Sequence, residues 1–426
     1  MSARASSIRS RSPKGGVSRR QFLGAAAAGT AAATLGFPGV LRAQAGPIRV
    51  GHLTPRTGFL APLGEYAVMA ARMAVDETNE KGGVLGRKVE LITEDSQNPG
   101  VAKQKVIKLI EKDKVDVLIG EINSASGLAI SEEAQRYKIV YVNTGFNTDV
   151  ARGEKCKRYM FHVEGCNTMY TKTVGRWLLR ERKISRWYFL TADYAFGHDL
   201  YRVSRRFLLQ NGGTDLGNDM IPTDTKDYSS YIVKLRNIKP DLVYLNLAGN
   251  DQTTFLKQYR DAGAPFELSG GVMDTIPFWA AGIDALSGHW QSLWYHELKE
   301  LGSPEFTAAF RKRYGKPPDN QAWGEYVSTR ILLEAIAKTK STKSEAIVKY
   351  LEGGATFDIL KGRTGSFRAW DHQLLQTMYV VKVKDKAKMK DQWDIFEIVE
   401  PVPKMEESLE LIQPTKEENP CPMPAF

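Results

Sequence analysis

Six short stretches of this 426-residue chain gather glycine, hydroxyl, amide and carboxylate side chains as a small-molecule site requires. Three lie within the first 150 residues. Residues 55–64 read Pro-Arg-Thr-Gly-Phe-Leu-Ala-Pro-Leu-Gly, residues 120–127 read Gly-Glu-Ile-Asn-Ser-Ala-Ser-Gly, and residues 143–148 read Asn-Thr-Gly-Phe-Asn-Thr. Three more lie at residues 193–199, 247–251 and 270–274. Hydroxyls and free backbone N–H groups at helix N-termini suit an anionic group such as a carboxylate. An aspartate suits an ammonium, and aromatic rings such as Tyr194 and Phe196 suit an apolar ligand body. Ser124 and Ser126 are equally good helix N-caps, which is a structural use of the same hydroxyls.

Motifs for covalent or cofactor chemistry are missing from the sequence. No Gly-x-Gly-x-x-Gly follows a strand pattern, and no Gly-x-Ser-x-Gly elbow occurs. The six histidines are scattered rather than set at ligand spacing, so no metal and no cofactor is expected. Three cysteines, Cys156, Cys166 and Cys421, allow three single pairings or none, and the spacing does not choose.

The six stretches fall where apolar strands end and helices begin. Residues 48–52, 88–94, 115–120 and 138–142 read as strands, with helices over 63–80, 99–112 and 125–137. The rhythm restarts with a helix over 167–182, a strand at 187–191 and a helix near 197–211. A helix over 226–236, a strand at 241–246, a helix over 250–262 and a strand near 266–270 follow. Later segments read as helices (303–314, 320–338, 343–350) and strands (376–384, 393–399) that could complete either unit. Such βα alternation implies α/β architecture with parallel sheets covered on both faces. In open parallel sheets, ligands sit at the carboxyl ends of the strands.

The first 45 residues differ from the rest. They hold seven basic residues and no acidic one, then an Ala/Gly-rich apolar run from Phe22 to Leu41, then Ala43-Gln44-Ala45. That is the order of a cleavable export signal. Ser18-Arg19-Arg20-Gln21-Phe22-Leu23 resembles the twin-arginine motif, so the expected address is the periplasm, with cleavage near Ala45. The whole chain carries +10, and 10 − 7 leaves +3 without the leader. No concentrated basic patch suggests nucleic acid; Arg202, Arg205 and Arg206 read as the wet face of one helix.

The leader, the Pro-x-Thr-Gly turn at 55–58, the Gly82-Gly83-Val84-Leu85-Gly86 step and Glu94-Asp95 resemble the type I periplasmic binding proteins. So do residues 193–198 and the Lys239-Pro240-Asp241 strand entry. Together they are similar to the leucine/isoleucine/valine-binding subgroup, with its amide, urea and aromatic-acid branches, over residues 47–400. The resemblance implies an α/β fold of two Rossmann-like lobes joined by a three-strand hinge, with crossings near residues 164, 294 and 364. Lobe 1 would hold residues 46–164 and 295–364, lobe 2 residues 165–294 and 365–400, and residues 401–426 a C-terminal tail.

It also implies a function without chemistry: an extracytoplasmic solute-binding subunit of an ABC importer, expected to be a monomer because nothing in the sequence suggests an oligomer. Such a subunit closes on a small amino acid or carboxylate, expected to be branched-chain-like, and hands it to a membrane permease. Binders of aromatic carboxylates, amides or urea, and ligand sensors docking on a receptor, share the fold. Carried over by position, the ligand contacts are Phe59, Ser124, Thr144, Phe146, Tyr194, Phe196, Ala248 and Asp274. Phe146 replaces a small hydroxyl residue and Ala248-Gly249 replaces an aromatic, which moves the expected aromatic character to lobe 1. Glu121 is unfavourable beside an anion unless it turns away or pairs with Arg56.

Overall fold

The computed structural model describes residues 46–426, and the leader reading falls outside them. The first α/β run consists of β1 (Ile48–Thr54), α1 (Ala61–Glu80), β2 (Val89–Asp95), α2 (Pro99–Glu111), β3 (Val117–Gly120), α3 (Ser124–Tyr137), β4 (Tyr141–Asn143) and β5 (Met160–His162). Its strands form one parallel sheet in the order β2-β1-β3-β4-β5. β3 is buried along its whole length, as a Val-Leu-Ile run covered on both faces should be.

The second run holds α4 (Asn167–Arg180), β6 (Arg186–Ala192), α5 (Ala195–Gln210), β7 (Thr214–Ile221), α6 (Ser229–Ile238), β8 (Leu242–Asn246), α7 (Gly249–Asp261), β9 (Glu267–Gly270) and α8 (Thr275–Ala281). Its parallel sheet is ordered β7-β6-β8-β9. Side chains alternate across β6. Trp187 and Phe189 pack with Val174 and Leu178 of α4, whereas Tyr188 and Leu190 join the core containing Phe255 and Leu256 of α7. The two sheets are the centres of two lobes.

β10 (His289–Ser292) leads into α9 (Ser303–Tyr314), α10 (Asn320–Thr339) and α11 (Ser344–Glu352). These helices return to the first sheet: Phe310 stacks on Tyr66 of α1, and the Val140 N–H donates to Ser344 Oγ. A small antiparallel sheet of β11 (Thr356–Phe357), β12 (Gly365–Phe367) and β13 (Leu374–Leu375) follows. β14 (Met378–Val383) then pairs antiparallel with both β10 and β15 (Phe396–Val402), packed against α4. The late strands thus sit with the second lobe.

β7 has no counterpart among the sequence-derived strands. It is the edge of its sheet, and its Asp-Leu-Gly-Asn-Asp stretch is polar because one side of an edge strand meets solvent. Asn218 accepts from Thr191, and Asp219 accepts from Tyr188. The three arginines of α5 are spoken for: Arg202 by Asp199, Arg205 by Asp215 and Arg206 by the Glu418 carbonyl.

Of the open cysteine pairings, the structure has Cys156–Cys421, and Cys166 is a buried free thiol. The tail is therefore integral to the fold. Lys172 of α4 holds the Gln413 carbonyl and Glu418, Asn419 donates to the Asp149 carbonyl, and Arg158 donates to the Pro424 carbonyl. Among the described residues, no helix is long and apolar enough to cross a membrane, and no group of three or more His, Cys, Asp or Glu is arranged for a metal ion.

Candidate functional site

Each parallel sheet reverses direction at one place. β1 lies between β2 and β3, and β6 lies between β7 and β8. The loops leaving the carboxyl ends at these switch points are β1–α1, β3–α3, β6–α5 and β8–α7, where doubly wound folds bind ligands. Phe59, Ser124, Tyr194 and Ala248 occupy those four loops or the first residue after them.

The loops of the two lobes touch. The Asn250 N–H donates to the Phe59 carbonyl at 3.0 Å. The Phe59 ring meets Tyr194 edge-on at 5.7 Å, and Tyr194 in turn lies 5.6 Å from Phe196. Asn320, at the N-terminus of α10, donates to Asp274 at 2.9 Å. Ala248 precedes Gly249, which adopts φ +55°; a Cβ there would stand 2.3 Å from the Phe59 carbonyl oxygen. The small Ala-Gly pair in place of an aromatic is what allows the lobes this approach.

The α3 terminus corrects one expectation. Its N-cap is Asn123, whose Oδ1 accepts the N–H groups of Ala125 at 2.9 Å and Ser126 at 3.1 Å. Those N–H groups are not free for an anion. The serines are correspondingly relieved of capping: the Ser124 and Ser126 hydroxyls are buried and have no hydrogen-bond partner among the described residues. Glu121 turns into the lobe, fully buried, with Oε1 accepting the Asn123 N–H. Its carboxyl is pushed up to about 7 by burial. Arg56 does not pair with it; its N–H binds Asp95.

Phe146 and Thr144 are not cleft side chains. The Phe146 ring is fully buried in the lobe-1 core, beside Arg152 at 5.9 Å and His162 at 6.2 Å. It occupies the space left by Gly127, where a Cβ would come within 2.3 Å of the ring. Asn143 binds both its N–H and its carbonyl. The Thr144 hydroxyl donates to Glu325 of α10 at 2.6 Å, inside the lobe. The expected aromatic wall on lobe 1 therefore reduces to Phe59.

A family model described as periplasmic binding protein matches residues 47–388. The chain belongs to that family. It is 26% identical over 348 residues to a Leu/Ile/Val-binding protein homolog of Brucella abortus, covering 76% of this chain and 86% of the relative. A periplasmic binding protein of Burkholderia mallei superposes with a TM-score of 0.82 at 26% identity, covering 88% of this chain and 98% of its own. A branched chain amino acid ABC transporter periplasmic ligand-binding protein of Burkholderia xenovorans gives 0.76 at 25% identity, covering 88% and 99%. The chain is thus similar to binding proteins named for branched-chain amino acids, and its family is extracytoplasmic.

The binding protein carries further buried polar residues that sequence reasoning did not single out. Asp319 caps α10 through Oδ1, which accepts the Ala322 N–H at 2.8 Å, while its buried Oδ2 has no partner among the described residues. Asn320 Oδ1 and Thr275 Oγ1 are likewise buried and unpartnered. Glu164 follows β5, and its Oε1 accepts from Tyr170 at 2.6 Å, from Asn147 at 2.9 Å and from the Gly165 N–H at 2.9 Å. Burial raises the carboxyls of Asp274 to about 6 and of Asp319 and Glu164 to about 8. The only signal for Asp319 and Asn320 was an Asp-Asn pair after Pro317-Pro318, which reads as an ordinary N-cap.

Proposed function

We propose that this binding protein is the solute-binding subunit of an ABC importer, and that it traps a small, amino acid-like ligand between its lobes and passes it unchanged to a membrane permease. The supporting observation is the meeting of the two lobes around polar groups they do not satisfy. Phe59 and Asn250 join backbone to backbone, while the Ser124 and Ser126 hydroxyls stay without partners. Buried polar groups are normally paired, and a ligand with a polar head supplies the missing bonds. The names of the similar proteins favour leucine, isoleucine or valine as the ligand.

In this reading the lobes are residues 46–164 with 295–364 and residues 165–294 with 365–400, and the ligand shifts an open–closed equilibrium by touching both. Ser124 and Ser126 hold the carboxylate, Phe59, Tyr194 and Phe196 flank the apolar body, and Asp274 meets the nitrogen. Export by the twin-arginine route, cleavage near Ala45 and a monomeric state complete the proposal.

A thermal-shift screen of the purified protein tests it, with aliphatic and aromatic amino acids, aromatic carboxylates, amides and urea as the panel. A ligand at a hundred times its Kd adds about 2.7 kcal/mol to the folded form. The expected outcome is a shift with the aliphatic amino acids. No shift with any compound, together with no small molecule released on denaturation by mass spectrometry, would sink the solute-binding reading.

A further inference from the structure

The last residues of the chain run from one lobe to the other. Their first anchors are on the second lobe. Lys172 of α4 donates to the Gln413 carbonyl at 2.8 Å and to Glu418 Oε2 at 2.7 Å, and Arg206 of α5 donates to the Glu418 carbonyl at 3.2 Å. The next anchors are on the first lobe. Asn419 Nδ2 donates to the Asp149 carbonyl at 2.8 Å. Its amide is seated where Gly153 has no side chain; a Cβ there would stand 2.0 Å from Asn419 Oδ1. Cys421 is bonded to the buried Cys156. Arg158 then donates to the Pro424 carbonyl, and the Phe426 ring meets Tyr159 edge-on at 6.3 Å.

The crossing itself is short and lies over a groove. Only Asn419 and Pro420 stand between Glu418 and Cys421, so the chain between these two anchors reaches about 10 Å when fully extended. The groove has a volume of about 580 Å³. Leu128 and Val150 of the first lobe wall one side of it, Ala195 and His198 of the second lobe the other, and residues Glu418 to Pro420 close it. Parting the lobes on this side lengthens the path that the crossing must cover. A hydrogen-bonded anchor releases and reforms quickly, whereas an uncatalysed disulfide rearranges only over minutes to hours. Residues 413–421 lie beyond the match to the family model, which ends at residue 388.

We infer that residues 413–421 are a strap between the lobes, held by Lys172 and Arg206 on the second lobe and locked by Cys156–Cys421 on the first, and that this strap limits how far the lobes part. It acts beside the crossings expected near residues 164, 294 and 364. The inference rests on the solute-binding reading only for its consequence. A protein kept nearer its closed form binds more tightly, because apparent affinity scales with the fraction of molecules already competent to bind.

Small-angle scattering of the ligand-free protein tests the strap. The variants are Cys156→Ser with Cys421→Ser, which cuts the first-lobe end without leaving a new thiol, Lys172→Met, which loosens the second-lobe end, and all three substitutions together. Each is expected to show a larger radius of gyration than wild type. The triple variant should match the paired serine variant, since a strap cut at one end loses nothing more at the other, whereas independent changes at separate sites add. If the paired serine variant does not fold, wild type treated with dithiothreitol supplies the same cut. Calorimetry with L-leucine, L-isoleucine and L-valine should give a Kd about 3-fold or more weaker in the paired serine variant.

A radius of gyration unchanged by cutting the disulfide, or effects of the two cuts that add, overturns the strap. Wild-type affinity in a variant that scatters as more open overturns its link to binding. Wider lobes with no binding of the three amino acids, and no co-purified small molecule, uphold the strap and overturn the functional reading instead.

Discussion

The backbone carbonyl of Phe59 and the N–H of Asn250 form a 3.0 Å hydrogen bond from lobe 1 to lobe 2, and a Cβ on the neighbouring Gly249 would stand 2.3 Å from that carbonyl oxygen. The missing side chain at Gly249 is a condition for closure, since any Cβ would displace the carbonyl. This relation turns a sequence detail, a small pair where an aromatic was expected, into a statement about lobe geometry.

Gly249→Ala should therefore shift the protein toward open forms. The substitution adds both a 2.3 Å contact with the Phe59 oxygen and an alanine at φ +55°, the latter alone costing about 1 kcal/mol. Ligand affinity is expected to fall by roughly 10-fold or more for about 1.4 kcal/mol of combined cost. Small-angle scattering at saturating ligand should show a larger radius of gyration than wild type. A wild-type scattering curve and affinity would contradict the role given to Gly249.

The two hydroxyl groups expected to act together should separate experimentally. Ser124→Ala removes a hydroxyl with no protein partner and should weaken ligand binding with little change in melting temperature. Thr144→Val removes the donor held by Glu325 and leaves a fully buried carboxylate short of a bond. It should destabilise the fold by about 1–3 kcal/mol. Denaturant titration and calorimetric binding on both variants distinguish the roles. Phe146→Ala belongs with Thr144: a buried ring lost from the lobe-1 core costs about 3–5 kcal/mol without redirecting ligand preference.

Glu121 gives a pH signature. Burial lifts its carboxyl from 4.5 to about 7, with Glu325 close by as a second acid. The native state then holds a proton that the unfolded chain has released, so its contribution to stability falls as pH rises from about 4.5 to 7. Glu121→Gln cannot lose that proton. Relative to wild type it should gain stability across this window, by up to about 3 kcal/mol, and then level off. A difference between the two proteins that does not vary between pH 4.5 and 8 would count against a carboxyl buried in this way.

The Cys156–Cys421 bond closes a span of 265 residues and fastens the tail to the segment before β5. Cys421→Ser should lower stability by about 2–4 kcal/mol, the usual range for a native disulfide. Dithiothreitol should do the same to wild type and nothing further to the variant, as read from melting curves. Loss of the tail contacts of Lys172 and Arg158 would show as faster proteolysis after residue 403.

Much was legible because local pattern and global fold agree. β3 announces itself as Val-Leu-Ile, α9 by its apolar spacing, and the polar loops by glycine and hydroxyls after each strand. Those signals depend on which residues lie within a few positions of one another, and the sequence alone determined the α/β alternation, the two-unit organisation and the loops from which a cleft is built. What it left open depends on contacts across long separations. The burial of Phe146 under Gly127 and the turning of Thr144 toward Glu325 each hinge on the space beside a distant neighbour. The Cys156–Cys421 pairing and the meeting of Asp274 with Asn320 join segments 265 and 46 residues apart. No periodicity encodes such pairs, because they are set by how helices and loops pack once the sheets have formed, and only the tertiary structure decided them.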